Sequence, residues 1–336
     1  MMPLALFIVG AVTAIYFYYR WGLEYWPRKG VPIPPTEIIF GHSRRQFKND
    51  KPRSLKYRDY AKLVGAKTYG LNEGLRKGLV SSDVNVLQEV FVKQFDNFYA
   101  LREENPDGVT DASEDFIDLF LDTAAEGIHH ENHNEFKLAE QKVGKSLSVQ
   151  EVINQAVVFL LAGFDTTANA LGYTSWKLSK HPEVMKKCQD EVDEHLTNLR
   201  YLEAACKETL RFYPLGMFAS SRTCMKTTTV CGIEVVEGTV FQADVFSLHF
   251  DKDVWLDSSR PVPPIAYLPF GGRPRICIGM RLALLEEKLA LAHILRKFDI
   301  VSGTEASELE LQGSLTLTPV SVPVRIVPRA LQSFVE

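Results

Sequence analysis

Phe270-Gly-Gly-Arg-Pro-Arg-Ile-Cys277-Ile-Gly279 places one cysteine in a Gly/Pro-rich loop directly ahead of a long apolar-patterned run, Met280 to Phe298. Glycines in such a loop let the backbone approach a flat cofactor closely, and the positive end of a helix starting near Met280 lowers the pKa of a thiol. The expectation is a thiolate that can bind iron. A lone cysteine is ordinarily just a small buried hydrophobe, but the dense Gly, Pro and Arg spacing around Cys277 argues against that reading. The helix that follows is predicted to turn Leu282, Leu285, Leu289 and Ile294 to the core and Glu286, Glu287 and Lys288 outward.

Upstream, Ser148-Val-Gln-Glu151 matches a capping box, and the apolar run Val152 to Tyr173 is too long for a strand, so a long buried helix is expected. Its middle carries Ala162-Gly163-Phe164-Asp165-Thr166-Thr167, a small-residue pair followed by a carboxylate and hydroxyls. Burying a carboxylate without partners costs several kcal/mol. Local bonding of Asp and Thr to the preceding turn is the ordinary explanation. Pro182 to Leu196 fits a surface helix, and a third run, Tyr201 to Pro214, sets Glu208 and Arg211 at i and i+3 on one face. Val84 to Phe98 has apolar residues at roughly helical spacing, while Thr227 to Phe241, Ser314 to Pro319 and Val322 to Val327 read as hairpins and edge strands.

With 336 residues, 46% hydrophobic and 24% charged, the chain is neither disordered nor fibrous. A net charge of −4, without a basic-aromatic stripe, argues against a nucleic-acid partner. Five cysteines, an odd number without paired spacing, argue against a disulfide scaffold or a zinc cluster. His129, His130 and His133 lie among Glu and Asn and read as a solvated tract.

From Pro3 to Tyr19 no residue is charged, which is long enough for a short membrane helix. Arg20, Arg28 and Lys29 follow, with Trp21, Tyr25 and Trp26 as an aromatic belt, so the body is expected on the cytosolic side. A signal peptide cut near Val12-Thr13-Ala14 is the competing reading, weakened because no Lys or Arg precedes the apolar stretch. The expected division is an anchor over 1–20, a Pro-rich hinge over 21–40 and a body over 41–336.

Taken together these strings resemble the cytochrome P-450 family, microsomal type, and within it the drug- and steroid-oxidising, thromboxane-synthase-like branch. Phe270, Arg275, Cys277 and Gly279 match the haem signature Phe-x-x-Gly-x-Arg-x-Cys-x-Gly, with Arg273 where the signature has glycine. The resemblance implies a mainly α fold with a minor β region, preceded by a transmembrane helix. It implies haem with Cys277 as axial thiolate, and Phe270, Ala162 and Gly163 beside it. It makes Asp165 and Thr166 the acid–alcohol pair, and makes Arg222 and Arg275 partners of the propionates. Glu208 and Arg211 become a buried structural pair, and Leu215, Met217, Phe218 and Leu315 pocket residues.

The implied activity is insertion of one oxygen atom of O2 into a lipophilic substrate. Electrons come from NADPH through a flavoprotein reductase, at the endoplasmic reticulum membrane. Besides Arg273, the match departs from the family in three places. No Trp-x-x-x-Arg helix occurs between Tyr99 and Glu114, the third arginine of the Glu-x-x-Arg network has only Arg260 as a stand-in, and several internal blocks are missing. The alternative is therefore a non-catalytic member that binds haem poorly or not at all. A cysteine hydrolase built on Cys277 lacks a His in a motif resembling a base partner.

Overall fold

The computed structural model describes residues 2–48, 50–99, 149–194, 197–255, 261–272, 274–313 and 316–329, and the chain divides into two compact units, residues 1–102 with 168–336, and residues 103–167. In the second unit the described residues, 149–167, are all helical.

The first unit is organised around a four-stranded sheet of order β1-β2-β6-β3. Strands β1 (Thr68–Glu73) and β2 (Arg76–Ser81) form an antiparallel hairpin, turned at Gly74 with φ 59°. β3 (Ser221–Thr223) lies antiparallel to β6 (Val240–Ala243), and β6 runs parallel to β2. Between them in sequence, β4 (Thr228–Val230) and β5 (Ile233–Val235) make the expected hairpin, closed by Cys231 (φ 45°) and Gly232 (φ 83°). Two left-handed residues suit a tight turn between twisted strands. β7 (Phe298–Ser302) pairs with β10 (Val324–Pro328), and β8 (Leu311–Gln312) with β9 (Thr318–Pro319); β9 and β10 fall in the runs expected to be edge strands, whereas β7 and β8 lie outside them.

The core beside the sheet is aromatic: Trp26, Phe91, Phe98, Tyr173, Trp176 and Phe241 are buried, and Tyr173 stacks on Tyr213 at 4.2 Å between ring centroids. The segment Val84 to Phe98 feeds Val86, Val90, Phe91 and Phe98 into it, through a short α-helix (Val84–Gln88), a π turn (Glu89–Lys93) and a 3-10 turn (Phe95–Asn97). A second cluster joins the helices Pro182–Glu194, Arg200–Phe212 and Met280–Leu295 through Cys188, Val192, Leu202, Cys206, Leu291 and Leu295.

Three expectations need correction. The N-terminal stretch is helical, Met2–Leu23, yet among the described residues no helix is long and apolar enough to cross a membrane. Its last turns carry Tyr16, Tyr18, Tyr19 and Arg20, and its end is tied to the sheet: Asn72 Nδ2 donates to Leu23 O. The following Pro-rich stretch packs there too. Trp26 is fully buried, its Nε1 donates to Leu71 O, Gly70 N–H donates to Pro32 O, and a Cβ at Gly70 would overlap the indole.

The helix Met280–Leu295 is phased differently from its expected face. Leu282, Leu285 and Leu289 are exposed, whereas Leu284, Glu287, Leu291 and Leu295 make the inward stripe. Glu287 tolerates burial because Thr174 Oγ1 donates to its Oε1 at 2.6 Å; burial pushes its carboxyl pKa up. Glu286 stays exposed and Lys288 reaches Glu203 at 2.6 Å. Finally, the long helix Val149–Lys180 is buried from Ala170 onward but exposes Val157, Val158, Leu160, Leu161 and Phe164.

Asp244 closes the end of β6 as the N-cap of the short helix Val245–His249, its Oδ1 accepting from Ser247 N–H at 3.0 Å. Full burial, with Oδ2 unpartnered among the described residues, raises its pKa from 3.8 to about 6. A raised acid contributes stability at low pH that is lost as pH climbs from the unfolded value to the folded one. Asp244→Asn, which keeps the cap acceptor and removes the charge, is therefore expected to match the parent near pH 4. It should exceed the parent by up to about 3 kcal/mol at pH 7. Urea unfolding at the two pH values measures this; a variant less stable at pH 7 would contradict it.

Candidate haem-thiolate site

The loop Phe270 to Gly279 is held by its own backbone. Cys277 N–H donates to Phe270 O at 2.9 Å, Gly271 N–H donates to Leu268 O at 3.2 Å, and Gly271 adopts φ 79°. Gly272 packs tightly: a Cβ there would sit 3.0 Å from the Phe91 ring, which would have to give way. Phe270 is half-buried against the main core, and Arg273 lies outside the described residues. Cys277 itself is exposed.

The thiol pKa differs from the expectation in sign. Desolvation pushes it above its ordinary value, and the backbone N–H groups of Gly279 and Met280 pull the other way without prevailing. The N–H groups at the helix start do favour the thiolate, as its position predicted, but desolvation outweighs them.

Arg222, on β3, is fully buried. Its Nη1 donates to Ala219 O at 3.0 Å and Ser221 O at 2.6 Å, and its guanidinium carbon lies 4.7 Å over the Phe91 ring. Among the described residues Nε and Nη2 have no partner, and burial pushes its pKa down to about 10. Two buried charged N–H donors without acceptors are costly unless an anion meets them. Phe91 thus touches both Arg222 and the place where a Gly272 side chain would stand, bringing the strand and the cysteine loop to one aromatic ring. Arg275 is half-buried and also partnered.

Glu208 and Arg211, on the helix Arg200–Phe212, form a two-pronged ion pair at 2.9 and 2.8 Å. Arg211 is largely buried but the Glu208 side chain is 53% exposed, so the pair is only half sunk into the fold. Arg260 lies outside the described residues. Arg211 instead sends Nη1 to His249 O, a partner that sequence reasoning missed.

Leu215 is buried, and its carbonyl accepts from Leu317 N–H at 3.1 Å. Leu315 and the side chains of Met217 and Phe218 lie outside the described residues. In the other unit, Ala162 and Gly163 are exposed, and Thr166 Oγ1 donates to Ala162 O at 2.6 Å. The hydroxyl bonds back to the preceding turn, the ordinary arrangement for a helical threonine. Asp165 is half-buried and partnered.

A family model described as Cytochrome P450 matches residues 35–324. The chain belongs to the cytochrome P450 family. Among its relatives in Caenorhabditis elegans, the putative cytochrome P450 CYP13A1 is 39% identical over 284 residues, 76% of this chain and 55% of that protein. CYP13A4 is 44% identical over 243 residues, 64% of this chain and 47% of that protein. The chain thus spans about half the length of these curated relatives. Against a third, CYP13A10, a 28% match over 502 aligned positions covers 93% of this chain and 96% of that protein.

The P450 family implies haem held by a cysteine thiolate. The residues described here fit that group: an exposed cysteine sulfur in a glycine loop, two backbone N–H groups favouring negative charge on it, and a buried guanidinium with two donors lacking acceptors.

Proposed function

We propose that the chain is a haem-dependent monooxygenase that takes a lipophilic substrate and receives NADPH-derived electrons from a flavoprotein reductase. The observation that carries this reading is the pairing, around Phe91, of the Cys277 loop with the unsatisfied donors of Arg222. Cys277 would ligate the iron and Arg222 would receive a propionate carboxylate, with Arg275 as the second cation. When bound, haem supplies the redox activation of O2.

The protein's own contribution is placement and proton handling. The Gly279 and Met280 N–H groups would help hold charge on the sulfur once it ligates iron. Thr166, whose proton is committed to Ala162 O, keeps its oxygen lone pairs free to accept from water, and Asp165 one residue earlier is the acid that passes a proton onward. Leu215 supplies apolar wall for a lipophilic substrate.

We place the body at the endoplasmic reticulum membrane, on the cytosolic side. Exposed Phe7, Val9, Val12, Ile15 and Phe17 on the helix Met2–Leu23 support lipid contact. A second reading, a non-catalytic member that holds haem poorly, is favoured by the half-exposed Glu208 and by a match that spans only about half the length of CYP13A1. In this reading internal blocks of the family fold are missing.

One experiment separates them. Cells expressing the full chain are fractionated, reduced and treated with carbon monoxide. The expected result is the red-shifted absorption of a thiolate-ligated haem in the membrane pellet. A protein that stays colourless with excess haemin leaves the non-catalytic reading, and a band confined to the soluble fraction removes the membrane assignment.

A further inference from the structure

We propose that His249 is a positioning residue that fixes the loop carrying Cys277 to the helix carrying Glu208 and Arg211; its meaning for the cofactor rests on the haem-thiolate reading of that loop. The imidazole is fully buried. Nδ1 lies 3.0 Å from Arg211 O, and Nε2 lies 3.0 Å from Leu268 N. A carbonyl only accepts and an amide N–H only donates, so the backbone dictates the state of the ring: proton on Nδ1, lone pair on Nε2. Burial holds the ring in that neutral form by pushing its pKa down to about 3.

The same two segments are tied a second time, by Tyr267 Oη donating to Lys207 O at 2.9 Å. Tyr267 stacks on the imidazole at 5.7 Å with 17° between planes, and Trp255 meets it edge-on at 6.1 Å. Arg211 closes the unit, donating to His249 O and lying 5.0 Å over the Trp255 ring. From Leu268 the linkage runs on through backbone, Gly271 N–H to Leu268 O and Cys277 N–H to Phe270 O. His249 thus bridges the Glu208–Arg211 helix to the cysteine loop through hydrogen bonds on both ring nitrogens, where the sequence offers only Arg260 to do so.

The test uses the full chain in a Cys231→Ser background, which removes the other exposed thiol; Cys188, Cys206 and Cys224 are buried. His249→Phe keeps a planar ring and deletes both bonds, while His249→Gln can donate and accept again. The readouts are the pH profile of Cys277 alkylation by iodoacetamide in haem-free protein, and haemin affinity. The expected result is a shifted alkylation profile and at least tenfold weaker haemin binding in His249→Phe, with both mostly restored in His249→Gln. An unchanged alkylation profile in His249→Phe overturns the proposal. If the parent takes up no haemin, the haem reading alone fails, because the alkylation arm still decides the role of His249. Should His249→Phe not fold, ring nitrogen NMR of the parent replaces it. A protonated Nδ1 and bare Nε2 from pH 8 to pH 5 support the bridge, and a ring titrating near its ordinary value of 6.5 overturns it.

Discussion

Cys277→Ala is expected to abolish the red-shifted absorption of the reduced, carbon monoxide-treated protein and to remove the pH dependence of haemin uptake. Both effects follow from the state of the thiol. Desolvation keeps the proton on Cys277 in the haem-free chain at neutral pH, so ligation of iron must release it. Uptake through this sulfur should therefore strengthen up to about tenfold for each unit of rising pH below the thiol pKa. A variant with no sulfur at 277 has no proton to release. The other thiols are poor substitutes: burial raises Cys188 to about 12 and raises Cys206 further, and Cys224 is buried. Cys231, exposed at the β4–β5 turn, is the one accessible rival among the described residues, so Cys231→Ala is the control and should change neither readout. A band that survives Cys277→Ala would move the ligand elsewhere and end the assignment of this loop.

What was legible in the sequence was local. The cysteine loop, the Cys231-Gly232 turn and the i, i+3 pairing of Glu208 with Arg211 are each specified by residues within one turn of one another, and each is found where the pattern placed it. The four-stranded sheet was not legible. β1 and β2 mix Gly, Asn, Lys and Arg among their apolar residues, and β2 finds its parallel partner β6 more than a hundred residues later.

The phase of the helix Met280–Leu295 failed for a related reason. Leucines occur on more than one of its faces, and the residue that settles the rotation is Glu287, whose partner Thr174 is 113 positions away. His249 carried no signal of its own: a lone histidine becomes recognisable as a bridge only when Arg211 O and Leu268 N are seen on either side of it. The acid–alcohol motif shows the opposite case. Its order of residues is distinctive, yet among the described residues the Thr166 hydroxyl makes the bond that any helical threonine makes, so its chemistry has to be tested in the loaded protein.

Arg222→Met is expected to move stability and haem affinity in opposite directions. In the haem-free chain the guanidinium is fully buried with Nε and Nη2 unsatisfied, and burial lowers its pKa to about 10, the mark of a charge held at a cost. Methionine of similar length removes that cost and keeps contact with Phe91, although it forfeits the two bonds from Nη1 to Ala219 O and Ser221 O. Ala219 lies in the 3-10 turn before β3 and Ser221 opens the strand; the loss is about 1 kcal/mol each, less than the several kcal/mol attached to an unpaired buried cation. The haem-free variant should thus be at least as stable as the parent in urea. With haem, a carboxylate facing Nε and Nη2 would gain two charge-assisted bonds, and losing them costs about 3 kcal/mol, or roughly a hundredfold in haemin affinity. Arg222→Lys supplies charge without the planar fork and should recover only part of that loss. An Arg222→Met protein that is destabilised without haem yet binds haemin as tightly as the parent would show that this cation serves the sheet rather than a propionate.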